Sequence, residues 1–266
     1  MSSAKPPFVL VFDVDGTIIN SGGYINHSVV ELLCLGIIAR ECGIVSAILI
    51  LTNNVFVKTN PEGTEGHVME WLTTTLVPRI IDYIVNHRYI EFGYCKNRFK
   101  IFNEASQIIS DKYPNKNVKN VKNIMNNNKI TKRMFSYKIF DEIFDKRARE
   151  VSKISRENKS IHSVRAMLNK ARKNVSNIGQ RVFFINDNRT HRIKKEIHDN
   201  QYIHIPEFRL SNEYRSNIEK GQTATSEKIH ADLKIVSNKI NSNQKITELK
   251  RILKDKIRDQ RININN

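Results

Sequence analysis

The fold of this chain is decided by a short apolar run that ends in two carboxylates, Phe8-Val9-Leu10-Val11-Phe12-Asp13-Val14-Asp15-Gly16-Thr17. The length of the run and its β-branched residues predict a buried strand rather than a helix. Open α/β sheets bind ligands at the carboxyl ends of their strands, so Asp13 and Asp15 are expected at a ligand site. The simpler alternative is an acidic turn. A calcium loop is disfavoured, because positions 17 and 24 lack the acidic or amide ligand and the Glu that it requires.

A second buried strand is predicted at Ala47-Ile48-Leu49-Ile50-Leu51, and it ends in Thr52-Asn53-Asn54. The apolar residues from Ser28 to Cys42 predict a helix before it, which Asn26 or Ser28 could cap and which Gly43 is well placed to end. Strand, helix and strand then form one right-handed β-α-β unit. This connection brings the hydroxyl group of Thr52 to the sheet edge that carries the two carboxylates.

A third buried strand, within Arg181-Val182-Phe183-Phe184-Ile185, runs into Asn186-Asp187-Asn188. The stretch from Lys159 to Leu168 has helical spacing of its apolar residues and precedes this strand. Tyr202 to Pro206 is predicted to form a final short strand. Three predicted strands thus end in polar residues.

The motifs resemble those of the haloacid dehalogenase (HAD) superfamily, whose members are mostly phosphohydrolases. The resemblance covers about residues 8–208, and the segment 159–208 is similar to HAD-like proteins of large DNA viruses. It implies a three-layer, Rossmann-like α/β domain with a mostly parallel sheet. About one helix separates the first two motifs, so no cap domain fits between them and the site is expected to be open to a bulky substrate.

The resemblance also implies catalytic roles. Asp13 would attack phosphorus to form an aspartyl-phosphate, and Asp15 would act as general acid and then as general base. Thr52, Asn53 and a lysine would hold the phosphoryl oxygens. Lys159 is the preferred lysine, because HAD enzymes keep a cation at the start of the helix before the last motif. Lys153 is the next candidate.

A Mg²⁺ cofactor is implied as well, since clustered carboxylates repel one another and hard oxygen ligands suit this ion. Its ligands would be Asp13, Asp15 and Asp187, together with an amide partner. Two registers are open: Asn186-Asp187 aligns with the usual Asp-Asp pair, whereas Asp187-Asn188 resembles the carboxy-terminal-domain phosphatase branch. An Asn in the principal ligand position would weaken metal binding.

The formal charge of +17 is concentrated in residues 96–181, which contain 22 Lys and Arg against 7 Asp and Glu. Such a density predicts a polyanionic partner, nucleic acid first. The alternative is a bias towards Lys, Asn and Ile, as in an AT-rich genome. The Asn-rich part, about 96–133, is predicted to be a loop or a partly disordered insertion in an α/β domain of residues 1–208.

The remaining segments are predicted from periodicity and composition. A loop is expected at 57–66, an amphipathic helix at 67–86 with a bend near Pro78, and a core strand within 134–147 that leads to a basic loop. Residues 209–266 are predicted to be a basic tail, helical or partly disordered. Its apolar stripe at three- and four-residue steps fits either a short coiled coil or packing against the body.

No apolar run approaches the roughly 18 residues of a membrane helix, and the first residues lack a secretory apolar region. Cys34, Cys42 and Cys95 have no metal-ligand spacing and predict buried thiols in a reducing compartment. The expectation is a soluble intracellular protein with no membrane partner, located in the cytoplasm or, if viral, in the viral factory or virion.

Two functions follow from these observations. The leading one is a Mg²⁺-dependent phosphomonoesterase that acts on a phosphoprotein or a nucleic-acid end. The alternative is a catalytically degenerate HAD-like protein that binds nucleic acid or a protein partner, and Asn186 favours it. A kinase or other transferase is disfavoured, because the chain has no Gly-rich nucleotide loop of the G-x-x-x-x-G-K type.

Overall fold

The computed structural model describes residues 7–19, 26–58, 65–72, 76, 80, 139–151, 153, 159–188, 190–205 and 244–262. Its strands, in chain order, are β1 (Phe8–Phe12), β2 (Val45–Leu51), β3 (Phe56–Lys58), β4 (Glu65–His67), β5 (Glu142–Phe144), β6 (Val182–Asn186) and β7 (Tyr202–His204). Its helices are α1 (His27–Glu41), α2 (Val68–Trp71), α3 (Lys146–Val151), α4 (Ile161–Lys170), α5 (Ile193–Glu196) and α6 (Gln244–Ile262).

Five of these strands form one sheet in the order β5-β2-β1-β6-β7, and each neighbouring pair is parallel. The predicted α/β fold with a parallel sheet is therefore confirmed. The chain moves from β1 to β2 and β5 on one side and to β6 and β7 on the other. The strand order thus reverses beside the central β1, which is the position where such sheets bind ligands.

Both faces of the sheet are covered, which explains why β1 is apolar without alternation. Leu10 and Phe12 lie in a core cluster with residues of α1 and α6. Val9 and Val11 lie in a second cluster with residues of α4. Helices on each side of a central sheet make three layers.

Helix α1 has the start and end that its sequence predicts. The side chain of Asn26 accepts a hydrogen bond from the Ser28 amide at 3.2 Å and caps the first turn. Gly43 follows the helix with a φ of +73°, a conformation that glycine adopts without steric cost. The connection between β1 and β2 therefore contains this one helix within the described residues.

Helix α6 contributes its apolar stripe to the core of this chain. The stripe consists of Ile246, Leu249, Leu253 and Ile257, which are all at most 1% exposed and share a cluster with residues of α1. Lys250 on the same helix forms an ion pair with Glu31 of α1 at 2.5 Å. Two arrangements were predicted for this stripe, a short coiled coil or packing against the body. The structure shows packing against the body.

Two predicted loops contain regular structure. The segment predicted as a loop at 57–66 includes strands β3 and β4, whose antiparallel pairing is supported by the rings of Phe56 and His67 with centroids 4.8 Å apart. The predicted basic loop after β5 is wrong, because α3 occupies it. Asp145 caps this helix by accepting a hydrogen bond from the Ala148 amide at 2.8 Å.

Other predictions are tested only in part. The helix expected at 67–86 begins at Val68 and is described to Trp71, after which Leu76 and Ile80 are buried. The strand expected within 134–147 is shorter, at 142–144. The Asn-rich insertion lies outside the described residues, as does most of the tail.

The cysteines depart from the expectation of buried thiols at one position. Cys34 is a free, buried thiol, whereas Cys42 is disulfide-bonded. Cys95 lies outside the described residues. Among the residues that the structure covers, no helix is both long enough and apolar enough to cross a membrane.

Candidate active site

Asp13 lies at the carboxyl end of β1, in the centre of the sheet. Its backbone amide donates to Ile185 of the neighbouring β6 at 3.0 Å, and its carboxylate accepts from the Val14 amide at 2.8 Å. The residue is 6% exposed. Its other carboxylate oxygen forms an ion pair with the ammonium group of Lys159. The predicted nucleophile is thus held in a fixed position with a cation beside it.

Lys159 is placed by the start of α4. It directly precedes Ser160, which caps the helix by accepting from the Ser163 amide at 3.4 Å. The Lys159 carbonyl accepts from the Ile193 amide at 2.9 Å, and its ammonium group lies 5.9 Å from the centroid of the Phe184 ring. The side chain is 1% exposed. Of the two lysines considered from sequence, this one lies against Asp13, whereas Lys153 is exposed.

Asp15 is held by the loop that follows β2. The hydroxyl of Thr52 and the side-chain amide of Asn54 donate to the same carboxylate oxygen at 3.2 and 2.9 Å. Burial, followed by the charge of Asp13, raises the pKa of Asp15 to about 6, against the opposing effects of both donors and Lys159. A carboxyl group with such a pKa can release and accept a proton near neutral pH.

Asp187 meets the turn after β1 at a glycine. Gly16 has a φ of +69°, and a Cβ atom built there would lie 2.6 Å from Cγ of Asp187. The Asp187 amide donates to the hydroxyl of Thr17 at 3.0 Å, and Thr17 is fully buried. The end of β6 is therefore tied to the turn that carries Asp15. Asp13, Asp15 and Asp187 are called the carboxylate cluster below.

The two asparagines beside Asp187 have different partners. Asn186 is buried, donates to the Tyr202 hydroxyl at 3.4 Å and accepts from the Asn188 amide at 3.4 Å. The side-chain oxygen of Asn188 accepts from the amide and hydroxyl of Thr190 at 2.8 and 2.7 Å. Both side-chain amides therefore form hydrogen bonds within or beside the loop after β6. The choice between Asn186 and Asn188 as the partner of Asp187 remains a prediction.

The carboxylate cluster has the donor chemistry of a magnesium site. Its oxygens are hard ligands, and the charge of Asp13 contributes to the raised pKa of Asp15, a repulsion that a bound cation would reduce. Within the described residues, however, no group of three or more His, Cys, Asp and Glu side chains is arranged to hold a metal ion. Binding of Mg²⁺ would therefore have to draw these carboxylates together.

Two buried residues of the site were not predicted from the sequence. The guanidinium group of Arg149 on α3 donates to the side-chain oxygen of Asn53. Burial lowers the pKa of Arg149 while the charge of Asp13 opposes this. Burial, followed by the charge of Lys159, lowers the pKa of His191 to about 4, so its imidazole is neutral at physiological pH. Arg149 lies in a run of basic residues, where no local pattern marks a buried side chain. The only signal in the sequence is the short separation along the chain between Arg149 and strand β5.

The site thus combines a buried carboxylate, a second carboxyl group of raised pKa and a buried ammonium group near the carboxyl ends of parallel strands. Such a set can bind an anion, form a bond to it and move a proton. No family model, no curated protein and no solved structure matches this chain. Its function is therefore inferred from the chemistry of these residues.

Proposed function

We propose that this chain is a Mg²⁺-dependent phosphomonoesterase of the HAD type that acts through an aspartyl-phosphate. The observation that carries the proposal is the contact of Lys159 with Asp13, beside an Asp15 that Thr52 holds. These residues match the motifs of the HAD superfamily in type and order. The parallel sheet and the position of the first motif on its central strand fit the same family.

Each bond change has a residue to perform it. A carboxylate oxygen of Asp13 attacks phosphorus, and the bond from phosphorus to the leaving oxygen breaks while Asp15 gives that oxygen its proton. Asp15 then takes a proton from water, the water oxygen attacks phosphorus, and the bond to Asp13 breaks. Inorganic phosphate leaves and both carboxyl groups return to their starting state. The raised pKa of Asp15 suits this exchange of roles.

The phosphoryl oxygens would be held by the hydroxyl of Thr52, by Asn53 and by Lys159. Lys159 is nearly excluded from water, which strengthens its attraction for a phosphoryl oxygen. When bound, Mg²⁺ would offset much of the negative charge of the carboxylate cluster and polarise the phosphoryl group. The cluster would supply its ligands, with Asn186 or Asn188 as the amide partner.

The proposed substrates are a phosphoprotein or a nucleic-acid end rather than a small metabolite. One helix connects β1 to β2 within the described residues, so the connection adds little that could cover the site. The basic segment 96–181 would attract a polyanionic substrate.

The test is hydrolysis of an aryl phosphate with and without Mg²⁺, comparing the wild type with Asp13→Asn. The substitution keeps the shape of the side chain and removes its nucleophilic charge, so activity should disappear. Asp199→Asn is the matched control, because this side chain is 81% exposed. Loss of activity in both variants, or retained activity in Asp13→Asn, would reject the mechanism.

A degenerate HAD-like binding protein is the second candidate, and the partners of Asn186 favour it. An amide that is buried and bonded to Tyr202 is poorly disposed to replace a metal-binding carboxylate. In that case Mg²⁺ would leave the melting temperature unchanged and the wild type would not hydrolyse the aryl phosphate. Nucleic-acid binding through the basic segment should then weaken steeply as salt is raised, with log affinity falling linearly with log salt.

A further inference from the structure

Arg149 is a charged side chain in an unusual environment. It lies in α3, directly after the strand at the edge of the sheet, and the whole residue is 0% exposed. Arginine is almost never fully buried unless it is paired. The cap from Asp145 fixes the start of α3 and therefore the position from which this side chain extends.

Arg149 interacts with residues of the proposed phosphoryl site. Its guanidinium group donates to the side-chain oxygen of Asn53, the residue after Thr52 at the end of β2. The charge of Asp13 also acts on it, which places it within electrostatic reach of the nucleophile. A planar, permanently charged donor thus joins α3 to the loop whose Thr52 and Asn54 donate to Asp15.

We infer that Arg149 is a positioning residue of the phosphoryl site: it orients the side chain of Asn53 and thereby the loop that holds the phosphoryl oxygens. This inference rests on the proposed function. Because the guanidinium group occupies the side-chain oxygen of Asn53, the amide nitrogen of that side chain is left to face other groups. A fixed loop matters here, since a displacement of about 1 Å in a reacting group lowers rates on the order of 100-fold.

The competing explanation is that Arg149 only stabilises the fold. A structural residue would change the melting temperature without altering the kinetics of the folded protein. Positioning predicts instead that kcat and kcat/KM fall together, since the orientation is needed in the transition state. The two explanations are separated by a double-mutant cycle on Arg149 and Asn53.

The cycle compares the wild type with Arg149→Lys, Asn53→Ala and the double variant in hydrolysis of an aryl phosphate with Mg²⁺. Lysine keeps the charge but lacks the planar group that reaches Asn53. Each single variant is expected to lose about 10- to 100-fold in kcat, and the double variant no more than the larger single loss. Arg165→Lys, at an exposed position of α4, is the matched control and should retain wild-type kinetics.

Three outcomes would overturn the inference. They are a double variant whose loss is the product of the single losses, an Arg149→Lys variant with wild-type kinetics, and a loss that only follows the unfolded fraction. If Arg149→Lys does not fold, the kinetics of Asn53→Ala test the inference instead, because this variant removes the side chain that Arg149 orients and leaves the arginine in place. Wild-type kinetics in Asn53→Ala would then refute positioning.

Calorimetric binding of inorganic phosphate to the same four proteins separates this inference from the proposed function. A wild type that binds phosphate but does not hydrolyse the ester would reject the function. The inference would survive if both single variants weaken phosphate binding and the double variant weakens it no further. If the wild type binds no phosphate, or all four proteins bind it equally, the inference fails as well.

Discussion

Gly16→Ala tests whether Asp187 belongs to the site. At a φ of +69° an alanine costs about 1 kcal/mol in backbone conformation. Its methyl group would also lie 2.6 Å from Cγ of Asp187, where 3.4 Å is the lower limit of ordinary contact. The carboxylate would therefore have to retreat by about 1 Å, and such a displacement lowers rates on the order of 100-fold, about 2.7 kcal/mol of barrier.

Gly43→Ala supplies the control for the backbone cost. Gly43 has a φ of +73°, close to that of Gly16, and a Cβ atom built there has no heavy atom within 4 Å. Its alanine variant should lose about 1 kcal/mol of stability, which lowers Tm by about 2–4 °C in a chain of this size. Its rate of phosphate-ester hydrolysis should equal that of the wild type.

The assay combines thermal unfolding with initial rates of aryl phosphate hydrolysis at saturating Mg²⁺ and at a temperature where every variant is folded. The expected pattern is a modest fall of Tm in both variants and a loss of kcat/KM in Gly16→Ala alone. Hydrolysis by a folded Gly16→Ala within about threefold of the wild type would show that the position of Asp187 is irrelevant to the reaction. An equal loss of activity in Gly43→Ala would show that the effect is general destabilisation.

Two further predictions concern stability. The pKa of His191 is about 4 in the folded protein against an ordinary 6.5, so the folded state favours the neutral imidazole. This preference contributes fully to the free energy of unfolding above about pH 6.5. The contribution, up to about 3 kcal/mol, is lost as the pH falls towards 4. Urea unfolding at pH 7 and pH 5 should show a smaller decrease for His191→Gln than for the wild type, and equal decreases would contradict this. Leu253→Ala should lower the free energy of unfolding by about 2–5 kcal/mol, because its side chain is fully buried beside α1. Asp259→Asn, at an exposed position of the same helix, should change it by less than about 0.5 kcal/mol. A similarly small effect of Leu253→Ala would show that α6 does not stabilise the core.

The sequence was most informative where a local pattern decides the outcome. A buried strand that ends in polar residues is visible within about ten residues, so the ends of β1, β2 and β6 could be predicted with their side chains. The N-terminal cap and terminal glycine of α1 are equally local. Parallel pairing then brings the three strand ends together, because the carboxyl ends of parallel strands lie at the same edge of the sheet.

The rest depended on contacts between distant segments. Arg149 reaches Asn53 across 96 positions of the chain, and the Asp187 amide reaches Thr17 across 170. No periodicity or composition marks such pairs. The short α3 was misread for a related reason: its basic residues suggested a loop, whereas the cap from Asp145 and its packing beside β5 determine its conformation.

If the chain hydrolyses phosphate esters as proposed, the charges around the turn after β1 predict that phosphate binding depends on a divalent cation. The carboxylate cluster carries three negative charges when ionised, Lys159 and Arg149 supply two positive charges, and His191 is neutral. Without a metal ion these groups sum to one negative charge when Asp15 is ionised and to zero when Asp15 carries the proton that the first step needs, so a phosphate monoester dianion would find no net attraction. One Mg²⁺ ion would make the sum positive in either state, so phosphate should bind in its presence and weakly or not at all in its absence. A protein whose cluster did not bind the metal would still lack this attraction and would bind a polyanionic partner elsewhere, for which the basic middle of the chain is the natural place.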